Sequence, residues 1–145
     1  MNNLYLLVTI AGNRVALPAV TIESVVEIDD IERVPLVACH IAGLFALRSR
    51  VLTVIDSQAA VGQGAFTWTG YAQAVIVNCE GHGCALLVEN VDDVVEPDAP
   101  ITPCRAAMSP GWERVAQGTI EVGGAVLLVV DPAALVAGTT DALAA

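Results

Sequence analysis

The sequence predicts an all-β protein in which two similar five-stranded barrels pack together. Three observations lead to this fold class: short apolar segments separated by turn residues, an internal duplication, and a high content of hydrophobic residues. The chain has 145 residues, of which 55% are hydrophobic. A chain of this length can bury a core without disulfides or metals. We therefore expect a single domain over residues 1–145.

The internal duplication emerges when the chain is aligned with itself. A shift of 69 residues needs no gap and superposes a first set of positions, which includes Val8, Gly12, Leu17, Val25 and Glu27, on Val77, Gly81, Leu86, Val94 and Glu96. A shift of 75 residues superposes a second set, Gly43, Leu52 and Asp56, on Gly118, Leu127 and Asp131. The shifts differ by six residues, so the second half carries an insertion. We predict two similar halves, approximately residues 4–62 and 71–138, because this period is too long for a repeat array.

The first half contains five predicted strands. Residues 4–10 alternate in polarity, a turn follows at residues 11–13, and residues 15–17 return, which is typical of a β-hairpin. A third strand is expected at residues 22–28. The fourth and fifth, at residues 44–47 and 51–55, flank the tripeptide Arg48-Ser49-Arg50.

The second half repeats this layout. Its predicted strands cover residues 75–79, 84–88, 91–96, 119–122 and 125–130. Five strands in each half indicate one small closed barrel per half.

Both fifth strands end at an aspartate that is expected to begin a short helix. Asp131 is followed by Pro132, and Gly138 comes after the apolar run, which is the pattern of an N-cap, a first helical residue and a C-terminal stop. Asp56 and Ser57 repeat this pattern more weakly. A capping role accounts for both aspartates, so neither is predicted to be catalytic.

Two segments are predicted to be loops. Residues 62–70 place Phe66 and Trp68 among glycine and threonine and connect the two halves. Residues 97–110 hold four of the seven prolines and coincide with the insertion. We expect this second segment to be an exposed, semi-rigid loop.

The charge balance excludes several functions. The formal net charge is −10, which disfavours binding to nucleic acid or to an anionic membrane surface. All six cations are arginines, so mechanisms that need a lysine are excluded. The first residues lack the charged start of a signal peptide, and the longest uncharged apolar stretch, residues 34–47, is too short to span a bilayer. We expect a cytoplasmic protein with no direct membrane insertion, whose four cysteines are reduced core residues.

Enzymatic chemistry has no support in the sequence. His40 and His82 lie outside any nucleophile motif, and no paired-carboxylate pattern is present. We predict neither a catalytic site nor a cofactor. The alternative is a metal site formed by Cys79, His82 and Cys84, although both cysteines fall on apolar strand positions, where core packing explains them. A small-molecule site in the groove between the barrels is a further alternative without a specific motif.

The tripeptide Arg48-Ser49-Arg50 distinguishes the two halves. At the equivalent hairpin, Gly123 stands in the place of Arg48 and Ala125 in the place of Arg50. The turn itself therefore needs no arginine. Two interpretations remain: a solvated hairpin tip, or an arginine that faces a binding partner.

The same segment carries a family signature. Residues 43–56 contain the pattern G-x-x-x-L-R-x-x-V-x-x-V-x-D, formed by Gly43, Leu47, Arg48, Val51, Val54 and Asp56. This pattern resembles the core signature of CheW-like domains, which couple chemoreceptors to a histidine kinase in bacterial chemotaxis arrays. The resemblance extends to Leu17-Pro18, to residues 25–28, to the hairpin that ends at Val88, and to the last strand and helix, so it covers nearly the whole chain. It implies two SH3-like β-barrels, in agreement with the duplication.

The resemblance also implies roles for five residues. In the family, the turn arginine supports the surface that receives the receptor tip, and an acid on the third strand lies close to it. In this chain these residues are Arg48 and Glu27, and we expect them to pair. The apolar lining of the groove between the barrels corresponds to Val25, Gly43 and Val75. Glu27 as a solvated acid, and Val25 and Val75 as ordinary core residues, remain alternatives. The motif assigns no residue to the kinase contact.

The implied function is that of a non-enzymatic adaptor. One face would bind the cytoplasmic tip of a chemoreceptor, and another would bind the regulatory domain of a CheA-type histidine kinase, in chemotaxis or a related two-component pathway. Other CheW-like domains are further candidate partners.

Three residues depart from the family pattern. Ala46 stands where the family usually has asparagine, Ser49 where it usually has glycine, and Thr53 where it usually has proline. If position 49 requires a positive φ, serine there costs about 1 kcal/mol relative to glycine.

Overall fold

The computed structural model describes residues 4–35, 38–67, 70–79, 81–104 and 107–138. The described part contains ten strands: β1 (Tyr5–Ile10), β2 (Asn13–Pro18), β3 (Ile22–Ile28), β4 (Ile41–Leu47), β5 (Arg50–Asp56), β6 (Ala72–Cys79), β7 (His82–Val88), β8 (Asn90–Val95), β9 (Ala116–Val122) and β10 (Ala125–Val130). The helices are short: α1 (Ser57–Ala60), α2 (Pro110–Val115) and α3 (Pro132–Ala137). The predicted all-β fold class is confirmed, and every predicted strand is present.

The strands form two five-stranded sheets, each of which curls around its own core. We name them barrel 1, with the strand order β8-β1-β2-β10-β9, and barrel 2, with the order β3-β6-β7-β5-β4. Barrel 2 is built from one continuous segment, Ile22 to Val88, whereas barrel 1 combines the first hairpin with the last three strands. The expectation that each half of the sequence forms its own barrel is therefore wrong. The two hairpins β1-β2 and β6-β7 each join strands from the other half.

The two barrels nevertheless pair their strands in equivalent registers. Val25 on β3 is paired with Val75 on β6, and the equivalent residues Val94 and Leu6 are paired in barrel 1. The parallel contacts are equivalent as well: Thr53 with Cys84 in barrel 2, and Leu128 with Val15 in barrel 1. This correspondence supports our proposal that the chain arose by an internal duplication.

Buried apolar side chains form three layers. Barrel 2 encloses a cluster that includes Ile28, Leu52, Ile76 and Leu87. Barrel 1 encloses a smaller one that includes Leu7, Ile120 and Val129. The largest cluster lies between the barrels and takes residues from both, among them Val8, Leu17, Val75, Leu86 and Leu135. Because strand side chains alternate between faces, every central strand contributes to two layers.

The helices agree with the capping signals. The side chain of Asp131 accepts a hydrogen bond from the N–H of Ala133 at 3.1 Å, and α3 ends at Gly138, whose φ is 71°. The side chain of Asp56 accepts bonds from Ala59 at 3.1 Å and from Phe66 at 2.8 Å. Both aspartates thus have the predicted structural role.

Helix α2 was not expected from the sequence. It begins at Pro110, where the predicted loop ends, and continues through Gly111, a poor helix former. A Cβ atom at Gly111 would overlap the carbonyl group of Val61, so close packing against the residue after α1 requires glycine.

The two predicted loops contain no helix or strand among their described residues before Pro110. Trp68, in the connection between the halves, and residues 105 and 106 lie outside the described part of the chain. Thr102 forms a bridge to Thr119 on β9, and Glu32 forms the equivalent bridge to Leu44 on β4. Within the described ranges, no helix has the length and apolar character needed to cross a membrane.

Candidate partner-binding surface

The hairpin between β4 and β5 exposes Arg48. This residue has a φ of 59°, close to the 56° of the equivalent Gly123. Ser49 is not among the described residues with a positive φ, so the expected strain falls on the arginine rather than on the serine. Arg48 is exposed, and no ion pair involving it is found among the described residues. Its charge is therefore available to another molecule.

The second arginine of this segment, Arg50, forms an ion pair. Its Nη1 lies 2.9 Å from Oε1 of Glu23, at the start of β3. The hydrogen bond from Arg50 lowers the pKa of Glu23, and the same bond raises the pKa of Arg50. Glu27 is exposed and has no ion pair in the described structure. The predicted pairing of Glu27 with Arg48 is therefore not found among the described residues. Arg50, from the same hairpin, pairs instead with Glu23 on β3.

Arg50 reaches Glu23 across the open end of barrel 2. It lies two residues before Leu52, so its side chain projects from the face of β5 that lines the barrel. Between Arg50 and Glu23 in the sheet order are β7 and β6. A Cβ atom at Gly83, on β7, would lie 2.6 Å from Nη2 of Arg50. The guanidinium group thus occupies space that glycine leaves open.

Barrel 1 carries an ion pair at the equivalent place. Arg14 on β2 contacts Asp92 on β8 at 3.1 Å. Asp92 is the counterpart of Glu23, but Arg14 is the counterpart of Gly83, and the counterpart of Arg50 is Ala125. Each barrel therefore holds the first acid of its outer strand with an arginine from a strand that is not its neighbour in the sheet, β5 in barrel 2 and β2 in barrel 1.

Sequence reasoning missed the pair of Arg50 and Glu23. Arg14 and Arg50 both belong to the first half, and the second half has Gly83 and Ala125 at the equivalent positions, while an acid is retained at the position of Glu23. Only the exchange of hairpins between the barrels gives each barrel one arginine for its acid, and the sequence carries no signal of that exchange.

Of the apolar residues implied by the resemblance, Val25 is accessible and Val75 is not. The side chain of Val25 is 40% exposed on the outer strand β3, whereas Val75, its partner on β6, is 0% exposed and belongs to the cluster between the barrels. Val25 can contact another molecule directly. Val75 acts as a core residue that supports it.

Gly43 is also buried and has a structural reason to be glycine. Its φ is 156°, and a Cβ atom would overlap the carbonyl oxygen of Glu32, which is bridged to the next residue, Leu44. Gly118 stands against Thr102 in the same way in barrel 1. The signature glycine thus lets a loop segment close on the outer strand β4.

Each barrel exposes valines at two equivalent positions. Val25 and Val51 in barrel 2 correspond to Val94 and Val126 in barrel 1, and all four are among the exposed large apolar side chains. The molecule therefore presents comparable apolar contact points on two barrels.

The cysteine and histidine alternative is not favoured by the geometry. Cys84 is 4% exposed in the cluster between the barrels, Cys79 packs against that cluster, and His82 is exposed. Burial, followed by the charge of Cys79, raises the pKa of the Cys84 thiol, which disfavours the thiolate that a metal needs. Across the described ranges, which omit residue 80, no group of three His, Cys, Asp or Glu side chains is placed to hold a metal ion.

A cavity of about 520 Å³ lies between α3 and the end of β6. It is lined mainly by apolar side chains, and its carboxylate, Asp131, already caps α3. His40 is buried nearby, with Nε2 at 2.9 Å from the carbonyl oxygen of Val136 and its ring against Gly138. These groups hold α3 in place, and they do not form a nucleophile and base pair.

Comparisons with known proteins concern the fold and the family of the chain. Residues 4–139 match the family model described as CheW-like domain. The structure is similar to the crystal structure of the scaffolding protein TtCheW from Thermoanaerobacter tengcongensis, with a TM-score of 0.77, 20% sequence identity, and coverage of 90% of this chain and 89% of that chain. A comparison with curated proteins gave no match.

Proposed function

The chain belongs to the family of CheW-like domains, and from this we propose that it is a non-enzymatic adaptor that couples chemoreceptors to a CheA-type histidine kinase in a bacterial signalling array. The observation that carries the proposal is the family match over residues 4–139. Proteins of this family are scaffolds rather than enzymes, so the chain acts by binding. In such an array the adaptor works in the cytoplasm.

The accessible residues of barrel 2 support a receptor contact. Arg48 presents an exposed cation on the hairpin that forms no ion pair within the described ranges, and Val25 presents an apolar side chain on the outer strand β3. A helical receptor tip that carries acidic and apolar side chains would complement both. Gly43 and Val75 would contribute from below the surface, by shaping the strands that carry these two residues.

The exposed residues of barrel 1 support a separate contact with the kinase. Val94 and Val126 give barrel 1 exposed apolar positions of its own. Two independent faces are what an adaptor requires, and weak individual contacts become effective when many are made at once in an array. Other CheW-like domains are candidate partners for the same faces.

The proposal is tested by titration calorimetry with two purified partners: the regulatory domain of a CheA-type kinase and a cytoplasmic-tip fragment of a chemoreceptor, both from the same organism as this chain. We expect both to bind. Arg48→Ala should weaken the receptor contact about tenfold, as loss of an exposed interface arginine often does, and leave the kinase contact unchanged.

Arg33→Ala is the matched control, because Arg33 is exposed but lies outside the hairpin. It should bind both partners like the original protein. Absence of binding to either partner, from protein that unfolds cooperatively on heating, would refute the adaptor function.

A further inference from the structure

The two arginines that flank Ser49 have different environments. Arg50 is bound to Glu23 across the end of barrel 2, while Arg48 is exposed without an acidic partner in the described structure. In a chain with sixteen acidic and six basic residues, an exposed arginine has many potential intramolecular partners. An acid at the same end of barrel 2 would compete with the binding partner for Arg48.

Glu23 is such an acid. It lies at the end of the barrel where the hairpin turns, because β3 begins and β4 ends there. The hydrogen bond from Arg50 lowers the pKa of Glu23, and at neutral pH the ionised carboxylate is bound to Arg50. Without Arg50, an ionised carboxylate would remain unpaired at the same end of barrel 2 as Arg48.

We propose that Arg50 is a positioning residue for the receptor-facing hairpin: by holding Glu23 across the open end of barrel 2, it fixes the start of β5 and keeps Arg48 free to bind the partner. This inference rests on the proposed receptor contact. Nothing in the family signature requires an arginine at position 50, and Ala125 stands at the equivalent place. The device is specific to this hairpin.

Gly83 is part of the same arrangement. Its missing side chain leaves the space that the guanidinium of Arg50 occupies on the way to Glu23. In barrel 1 the equivalent position is Arg14, which makes the corresponding bond to Asp92 directly. The hairpin between β9 and β10 carries Gly123 instead of an exposed arginine, so the ion pair of barrel 1 protects no binding residue.

The test compares Arg50→Ala with Arg14→Ala, since each removes one arginine from an equivalent ion pair. Affinity for the receptor-tip fragment and for the kinase regulatory domain is measured by calorimetry. We expect Arg50→Ala to weaken receptor binding about fivefold and leave kinase binding unchanged, and Arg14→Ala to leave receptor binding unchanged. The exchanged pair Glu23→Arg with Arg50→Glu should recover most of the loss.

A second measurement does not need the receptor. In NMR spectra, the Nε–Hε signal of Arg48 in the Arg50→Ala protein should shift as carboxylates titrate, because Glu23 now binds Arg48. In the original protein this signal should stay constant over the same range. A constant signal in both proteins would overturn the inference even if the receptor fragment fails to bind.

Two further results would overturn it. Arg50→Ala could bind the receptor fragment as tightly as the original protein. Alternatively, Arg50→Ala and Arg14→Ala could each weaken binding to the receptor fragment and to the kinase domain equally, which would indicate a general loss of stability. Failure of the original protein to bind the receptor fragment would refute the proposed function instead, so the two failures are distinguishable.

Discussion

Arg48 occupies a backbone conformation that glycine adopts at the equivalent turn. A positive φ costs a non-glycine residue about 1–2 kcal/mol, and the value of 59° at Arg48 matches the 56° of Gly123. The chain therefore accepts strain at the one turn position where the resemblance implies a binding role. Strain of this kind is typical of functional positions.

Arg48→Gly should separate stability from binding. Relief of the positive φ outweighs the entropy that glycine loses on folding, so the free energy of unfolding should rise by about 0.5 kcal/mol. Receptor affinity should fall, because the cation is lost. Chemical denaturation and calorimetry measure the two effects, and a protein that is less stable than the original would contradict the assignment of strain to Arg48.

The ion pair of Arg50 with Glu23 predicts a pH dependence. The pKa of Glu23 is lowered in the folded state, from a reference value of 4.5. Its contribution to stability is therefore fully present above the unfolded pKa and is lost as the pH falls through the folded pKa.

Stability curves of the original protein and of Glu23→Gln should thus differ at neutral pH and converge in acid. Denaturant midpoints measured across this range test the prediction. Asp92→Asn is the matched control for the other barrel. A stability difference between Glu23→Gln and the original protein that grows towards low pH would contradict the lowered pKa of Glu23.

For single residues, the sequence predicts that Arg48 lies in an exposed turn, but it does not predict that Arg50 pairs with Glu23. The turn at residues 48 and 49 follows from local polarity, whereas the bond between Arg50 and Glu23 crosses two other strands and depends on the absent side chain of Gly83. Likewise, alternation marks Val75 as apolar without revealing that the second barrel covers its face. Such contacts depend on strand order, which local patterns do not encode.

Among the secondary-structure elements, the three short helices are held together by one side chain. Arg114 on α2 donates a hydrogen bond from Nη1 to the carbonyl oxygen of Ala134 in α3, and one from Nη2 to that of Ala60 in α1. Burial lowers the pKa of this arginine. Helices of four to six residues cannot persist alone, so such bridging bonds at their carbonyl ends are important for their stability.

Arg114→Ala should therefore lower the free energy of unfolding by about 2 kcal/mol, the value typical of hydrogen bonds from a charged donor. Arg114→Lys should recover only part of this, because an ammonium group does not provide the planar fork that reaches both carbonyls. Thermal unfolding followed by circular dichroism measures both changes. Equal stability of the alanine variant and the original would contradict the bridging role.

Helices α1 and α3 were predictable because an aspartate cap is a local signal. Helix α2 was not, since it contains Gly111 and is retained by packing against Val61. Every strand was predicted from alternation or from the internal repeat, although the ends differ by up to three residues, as at Ile41, Ala72 and Ala116. Local chemistry thus defines the elements of this chain better than it defines the contacts between them.

For the whole molecule, the main departure from expectation is the assignment of strands to barrels. The halves are alike in sequence, and the exchanged hairpins pair with the other three strands of each barrel in equivalent registers. Sequence similarity between the halves therefore does not reveal whether the hairpins β1-β2 and β6-β7 are exchanged between the barrels. The structure shows exchange, with the chain crossing between barrels at Ala19–Thr21 and again at Glu89.

A chain cut after Gly64 should consequently yield two fragments that do not fold separately, because the cut divides the strands of both barrels. Mixing the fragments should restore a cooperative transition. Circular dichroism of each fragment and of the mixture is the measurement, with the uncut chain as control. A cooperative transition in one monomeric fragment alone would contradict the requirement for exchange.

The continuous course of barrel 2 also has a consequence for synthesis on the ribosome. All five of its strands have been translated once Val88 is made, and they can pair while the rest of the chain is still being elongated. The first hairpin, although synthesised earliest, must wait for β10, which ends at Val130, before barrel 1 is complete. The barrel that begins first is therefore finished last, and its contacts of long sequence separation are expected to limit the folding rate.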